Sequence, residues 1–98
     1  MPQMEHFGSL GSNKLQFKWP HGMSYDECNQ VLFVCDCFNN RVQLIDVGNV
    51  QAARCIKVIG CEGAYDGQFR VPVFVALDHS HAHLYVSECD GCRVQQFA

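Results

Sequence analysis

No stretch of this chain approaches the ~20 consecutive apolar residues that a helix needs to cross a bilayer, so a helical membrane span is not expected. Its first residues, Met-Pro-Gln-Met-Glu-His, contain neither a basic segment nor an apolar one, and no secretory leader is read from them. A cytoplasmic site is the default expectation. Charge is sparse, at 17% of residues, and slightly acidic, with 7 Lys and Arg against 10 Asp and Glu. That balance lacks the density of a basic nucleic-acid-binding face. Phosphate-cradling glycine loops, nucleophile elbows and helical metalloprotease signatures are also missing, which leaves catalysis without a motif and implies no cofactor. What remains is a globular composition, 48% hydrophobic in 98 residues. A chain of this size buries only somewhat over 60% of its unfolded surface, so its core is modest.

Seven cysteines cannot all pair within one chain. Cys28, Cys35, Cys37, Cys55, Cys61, Cys89 and Cys92 are therefore expected as reduced thiols, with Cys35 and Cys55 serving as small hydrophobes inside apolar runs.

The dominant signal is internal. Residues 7–45 and 59–97 align without a gap at a shift of 52 positions, matching at Gly8/Gly60, Gly11/Gly63, Gln16/Gln68, Phe17/Phe69, Pro20/Pro72 and Asp26/Asp78. The match continues through Leu32/Leu84, Val34/Val86, Cys37/Cys89, Arg41/Arg93, Val42/Val94 and Gln43/Gln95. Turn residues and alternating apolar residues recur together, so the chain is a repeat array, with one unit at about residues 7–58 and a second at about 59–98.

Within the first unit, Pro20 to Asp26 reads as a strand that enters a polar turn, and Val31 to Val34 as a short buried strand. Arg41 to Ile45 and Cys55 to Ile59 supply a third and a fourth, joined by a connection with a helical turn near Gln51 to Arg54. The second unit repeats three strands, at Val73 to Asp78, Leu84 to Ser87 and Arg93 to Phe97, and has no fourth. At the same shift, Met4 to Phe7 aligns with Ile56 to Ile59 and is a fourth-strand equivalent at the other terminus. The expected fold is all-β: an antiparallel β-propeller segment of two four-stranded blades, circularly permuted. Phe17 and Phe69 are expected to wedge between blades.

The residues Phe7-Gly8, Gly11, Phe17, Pro20, Asp26, Phe33-Val34-Cys35-Asp36 and Asn39-Asn40-Arg41-Val42-Gln43 resemble the NHL repeat family, and the second unit departs from it at Glu88, Gly91 and Cys92. That resemblance implies a propeller whose loop surfaces bind a protein partner without catalysis. It also implies two alternatives: single-stranded RNA gripped on one face, or a lyase using a histidine-held metal. Some relatives are ubiquitin ligases with a RING; no ladder of Cys and His pairs stands here, so ligase chemistry would need a domain outside these residues. The permutation leaves two further expectations open, a fragment of a longer propeller or a homotrimer closing a six-blade ring.

Candidate side chains follow from this frame. Lys14, Lys18, Trp19, Phe38 and Arg70 combine cations with aromatic rings near the inter-unit loops and form the candidate interaction surface. Asp36 with Arg41, and Glu88 with Arg93, are expected as ion pairs that fix a turn, each an exposed pair of small energy. His79, His81 and His83 alternate along one stretch and invite a zinc reading, but alternate residues on a flat strand lie ~6.8 Å apart, too far for a shared tetrahedral ion. Cys89 and Cys92 have the spacing of half a zinc knuckle without a second pair at matching distance.

Overall fold

The computed structural model describes residues 4–98, and it is built of strands joined by turns and two short 3₁₀ turns. The described strands are β1 (Ser9–Leu10), β2 (Gln16–Phe17), β3 (Pro20–Asp26), β4 (Val31–Asp36), β5 (Arg41–Asp46), β6 (Arg54–Ile59), β7 (Pro72–Asp78), β8 (His83–Glu88) and β9 (Arg93–Phe97). β3 to β6 form one antiparallel meander in chain order, and β7 to β9 form a second. The helical turn expected in the longer connection is a 3₁₀ turn at Val50–Ala52, capped by the Asn49 side chain, which accepts from the Gln51 N–H. A second 3₁₀ turn, Cys37–Asn39, joins β4 to β5.

The repeat seen in the residues is repeated in the backbone. Both units carry a bulge near the start of their first strand, between Pro20 and Met23 and between Pro72 and Phe74. Left-handed φ angles recur at the same shift, at Trp19 (65°) and Val71 (56°), Gln30 (55°) and Ala82 (54°), and Asn40 (53°) and Cys92 (53°). A β-branched residue such as Val71 is rarely found there, so the loop around it dictates its conformation.

The core lies between the two sheets. Cys35 and Val42 of the first sheet, with Cys37, pack in one cluster with Val75, Leu84 and Val86 of the second and with Phe69 from the loop that leads into it. Alternation explains the choice of face, since successive strand residues point to opposite sides and only one side of each sheet meets the other. Phe69 is 0% exposed and is the largest side chain in this core. Gly60, at φ +87°, leads into its loop, and a Cβ there would collide with the Phe69 ring. β3 crosses β7 so closely at Gly22 that any side chain would strike the Val73 carbonyl. At the far end the sheets part around a cleft of about 410 Å³, floored by Phe33, Leu44 and Ile59 on one side and Leu77, Leu84 and Phe97 on the other.

One expectation is corrected. The second sheet has three strands, not four, and Met4 to Phe7 carries no ladder. The loop from Gly60 to Val71 takes the chain from the outermost strand of one sheet to the first strand of the next. By the same geometry, the loop from Gly8 to Trp19 leaves Met4 to Phe7 beside a sheet that would precede β3 to β6. Gln51 Nε2 donates to Glu5 Oε1 at 3.2 Å, which sets this segment beside the connection from β5 to β6 in the first sheet.

Candidate interaction site

The end of the molecule where β4 turns into β5 is organised by a carboxylate. Asp36 is 0% exposed, and its Oδ2 accepts from Arg41 Nε at 2.7 Å, Asn39 Nδ2 at 2.9 Å and Gln43 Nε2 at 3.2 Å. Its Oδ1 accepts from the Lys18 backbone N–H at 2.7 Å. Arg41 spends its remaining donors on the carbonyls of Ser12, Asn13 and Gln16, and Gln43 donates to the Gln16 carbonyl while accepting from the Leu15 N–H. The loop before β3 is thereby roped down over the ion pair. This corrects the expectation of an exposed pair: the loop roofs it, and the Arg41 side chain is only 13% exposed.

The second unit builds the same knot at the same shift. Glu88 accepts from Arg93 Nε at 2.6 Å, from Gln95 Nε2 and from the Arg70 N–H, and Arg93 reaches the carbonyls of Ala64, Tyr65 and Gln68. Glutamate is one methylene longer than aspartate, and the extra length is accommodated where the first unit has Asn39. Gly91 stands at that position, and a Cβ on it would lie 2.6 Å from Glu88 Oε1. Gln43, Gln95 and Asn39 are the members that reasoning from charge alone overlooked. An identical glutamine interrupting an apolar strand in both units was the available signal.

Burial opposes ionisation of Glu88, but the Arg70 N–H, the Arg93 guanidinium and the Gln95 amide outweigh it and hold its pKa below the ordinary 4.5. A depressed carboxylate contributes stability that is fully present above its unfolded pKa and is lost as pH falls through the folded value. The Glu88→Gln variant is therefore expected to have a lower urea midpoint than the parent at pH 7. That gap should narrow as pH drops below about 4.5. A gap unchanged from pH 7 to pH 3, measured by urea titration, would contradict the assignment.

On top of the first knot sits an aromatic pair. The Lys18 and Trp19 carbonyls accept the N–H groups of Phe38 and Cys37 at 3.0 and 3.3 Å, which sets the Trp19 and Phe38 rings side by side, centroids 6.2 Å apart and tilted 55°. Trp19 is 65% exposed and Phe38 59%. Lys18, next to Trp19 in the same hydrogen-bonded crossing, is exposed. Lys14 is exposed on the loop that roofs Arg41. Arg70 stands apart, lining a shallow depression together with the acidic residues Glu62 and Asp90.

The two units differ here, although their scaffolds agree. Positions equivalent to Lys14, Trp19 and Phe38 hold Asp66, Val71 and Asp90 in the second unit. The second knot forms without an aromatic pair, so the repeat framework does not require Trp19 and Phe38. Large exposed rings with no structural duty are what a docking surface displays.

The histidine and cysteine clusters sit elsewhere. His81 Nδ1 is 2.8 Å from Asp78, and His79 Nδ1 is 3.9 Å from Asp26 in the other unit. The His81 and His83 rings stack at 6.1 Å. Asn29 donates to Asp26, and Ser80 with His81 bonds Asp78, so both carboxyls are held below their usual range. These contacts make a turn. Among the described residues no three His, Cys, Asp or Glu side chains converge as a metal site. Cys35 and Cys37 are buried, and burial first, then the neighbouring Cys37, pushes the Cys35 thiol up to about 12. Such a thiol packs and does not react. Cys89 and Cys92 are exposed. Among the described residues no helix is long and apolar enough to cross a membrane. No family model and no curated protein matches the chain.

Proposed function

We propose that this chain is an NHL-like pair of propeller-type blades that acts as a non-catalytic docking module, holding a protein partner on Trp19, Phe38 and Lys18. The observation that carries this reading is the exposed aromatic pair present in one unit and replaced in the other. Side-by-side rings on a rigid turn lose little entropy on binding, and aromatic anchors of this kind dominate interface energies. Lys18 beside the rings favours an apolar partner segment flanked by acidic residues. Lys14 lies farther out on the loop that carries Lys18, and Arg70 stands apart on the loop between β6 and β7.

Single-stranded RNA is the second reading, because rings next to a lysine are also the mixture on which bases stack. The acidic balance of the chain and the carboxylates around Arg70 weigh against it.

Crosslinked capture from cell lysate tests both. Removing two central aromatic anchors typically costs at least ~2 kcal/mol, or roughly 30-fold in affinity. The Trp19→Ala/Phe38→Ala double variant is thus expected to lose its captured protein while melting like the parent, whether or not nuclease is present. Capture abolished by nuclease would transfer the assignment to RNA. Equal capture by parent and variant would end both readings.

A further inference from the structure

The sheet pair has two outer faces, and each matches one already in use inside the molecule. The buried interface joins the far face of the first sheet, with Phe33, Cys35, Val42 and Leu44, to the near face of the second, with Val75, Leu77, Leu84 and Val86. Advancing the first set by 52 gives Tyr85, Ser87, Val94 and Gln96, which lie on the open face of the second sheet beside Phe74 and Ala76. Moving the second set back by 52 gives Met23, Tyr25, Leu32 and Val34 on the outward face of the first sheet, where Met23 and Tyr25 are exposed, Leu32 is half-buried and Val34 is buried. Both faces carry exposed apolar groups, with Val94 at 66% and Phe74 at 59% on one, Met23 at 65% and Tyr25 at 46% on the other.

We infer that the two open faces bind each other between copies of this chain, head to tail, repeating the internal interface. The occupant follows from continuity with that interface, because each open face is the repeat image of a surface whose partner lies within the same chain. The sheet edges give the same answer. β9 ends the second sheet without a neighbour on its outer side, whereas β6 covers β5 in the first. In that sheet Val42 pairs with Ile59 and Gln43 with Val58. Subtracting the repeat from the fourth strand and adding it to the third predicts Val94 opposite Phe7 of a second copy, and Gln95 opposite its His6. Among the described residues Met4 to Phe7 forms no ladder within its own chain, and the Gln51 amide, which donates to Glu5 Oε1, sets it beside the connection from β5 to β6 in the first sheet.

One position sets the spacing of this contact. Phe74 stands where the first sheet has Gly22, so the inner strands sit a side chain's width farther apart between copies than within one. The contact is heterologous, and a rotation that closes yields a ring. Propellers typically hold 4–8 blades, which at two sheets per chain means a ring of about two to four copies. This inference rests on the blade-like repeat in the proposed function and is independent of the Trp19 and Phe38 surface.

Light scattering on the purified full chain, alone and in buffer, reads the outcome. A sharp mass at a small whole multiple of 11.1 kDa is expected across dilution from high to low micromolar concentration. Val94→Lys and Met23→Lys, each on a different open face and neither in the internal core, should each give a monomer whose β circular dichroism is unchanged. Mixing a Phe7→Cys chain with a Val94→Cys chain, all seven natural cysteines replaced by serine or alanine in both, should give a disulfide-linked pair. Neither chain should crosslink alone. If that background fails to fold, photo-crosslinking from a benzophenone amino acid at position 94 to the peptide containing Phe7 replaces it. A parent chain that is monomeric at high micromolar concentration would overturn the inference. So would polydisperse aggregate, or a multimer indifferent to both lysine substitutions. Loss of ring closure with Trp19-dependent capture retained would leave the docking assignment standing.

Discussion

Replacing Phe69 by alanine is expected to cost the protein about 3–5 kcal/mol, whereas the same change at its repeat equivalent, Phe17, costs a monomer only about 1 kcal/mol. The two rings occupy the same place in the repeat and differ in surroundings. Phe69 is fully buried between the sheets, tilted against Phe97 at 5.8 Å, with Val75, Leu84 and Val86 in the same core. Phe17 is half-buried because no sheet precedes it within the chain. Truncating Phe69 leaves a cavity that cannot collapse, since the ring also fills the space that Gly60 keeps clear. For a domain of this length each kcal/mol moves the melting temperature by roughly 4–8 °C, so Phe69→Ala should lower it by well over 10 °C. Thermal and urea unfolding of both variants gives the comparison. Equal, large losses measured below the concentration at which copies associate would contradict the assignment of the core to the inter-sheet space.

Much of the architecture was legible because the repeat writes its turns and its strands twice. Pro20 to Asp26 and Arg93 to Phe97 are strands over the residues expected, since proline at a strand start and alternation after it leave few other readings. The end of β4 was less clear. Val31 to Val34 looked complete as an apolar run, yet the strand continues through Cys35 and Asp36, because Asp36 is buried by its hydrogen bonds and not by its own character. Polarity marks a strand end only where water is the partner.

Other features depend on distance along the chain. Asp36 and Arg41 were identifiable as partners from their spacing, but their burial comes from carbonyls 25 to 29 residues away on a loop, and no local pattern announces it. Trp19 and Phe38 become neighbours only because that loop crosses the turn. Met4 to Phe7 has the pattern of a fourth strand, and pattern specifies a strand's type without specifying the sheet it joins. The histidines alternate as a strand would, but His79 and His81 fall in the turn before β8 and stand beside two different carboxylates, of which only Asp78 is within hydrogen-bond reach of its histidine.

Asp36→Ala should be the most damaging polar substitution in the first unit, at about 3–5 kcal/mol. The carboxylate accepts four hydrogen bonds, two of them from groups that would be left facing nothing in a buried site: the Arg41 Nε and the Gln43 amide. Removing one partner of a buried pair strands the other, which costs more than the pair contributes when whole. Total stabilities of small domains are only 5–15 kcal/mol, so the variant is expected at the edge of unfolding at 25 °C. Arg41→Ala should be comparably harmful, since it removes a donor from the Ser12, Asn13 and Gln16 carbonyls along with one from the carboxylate. The informative variant joins both changes in apolar form, Asp36→Leu with Arg41→Met. If most of the loss comes from stranding a buried charge, the double variant should be more stable than either alanine variant in urea titration. If all three fall equally, the loop's attachment through Arg41 is the larger contribution, and the Trp19 and Phe38 pair should then become mobile in every one of them, which tryptophan fluorescence anisotropy would register. Either way the proposed docking surface depends on a charge it never displays, because Asp36 Oδ1 holds the Lys18 N–H and the Lys18 carbonyl in turn accepts from the Phe38 N–H.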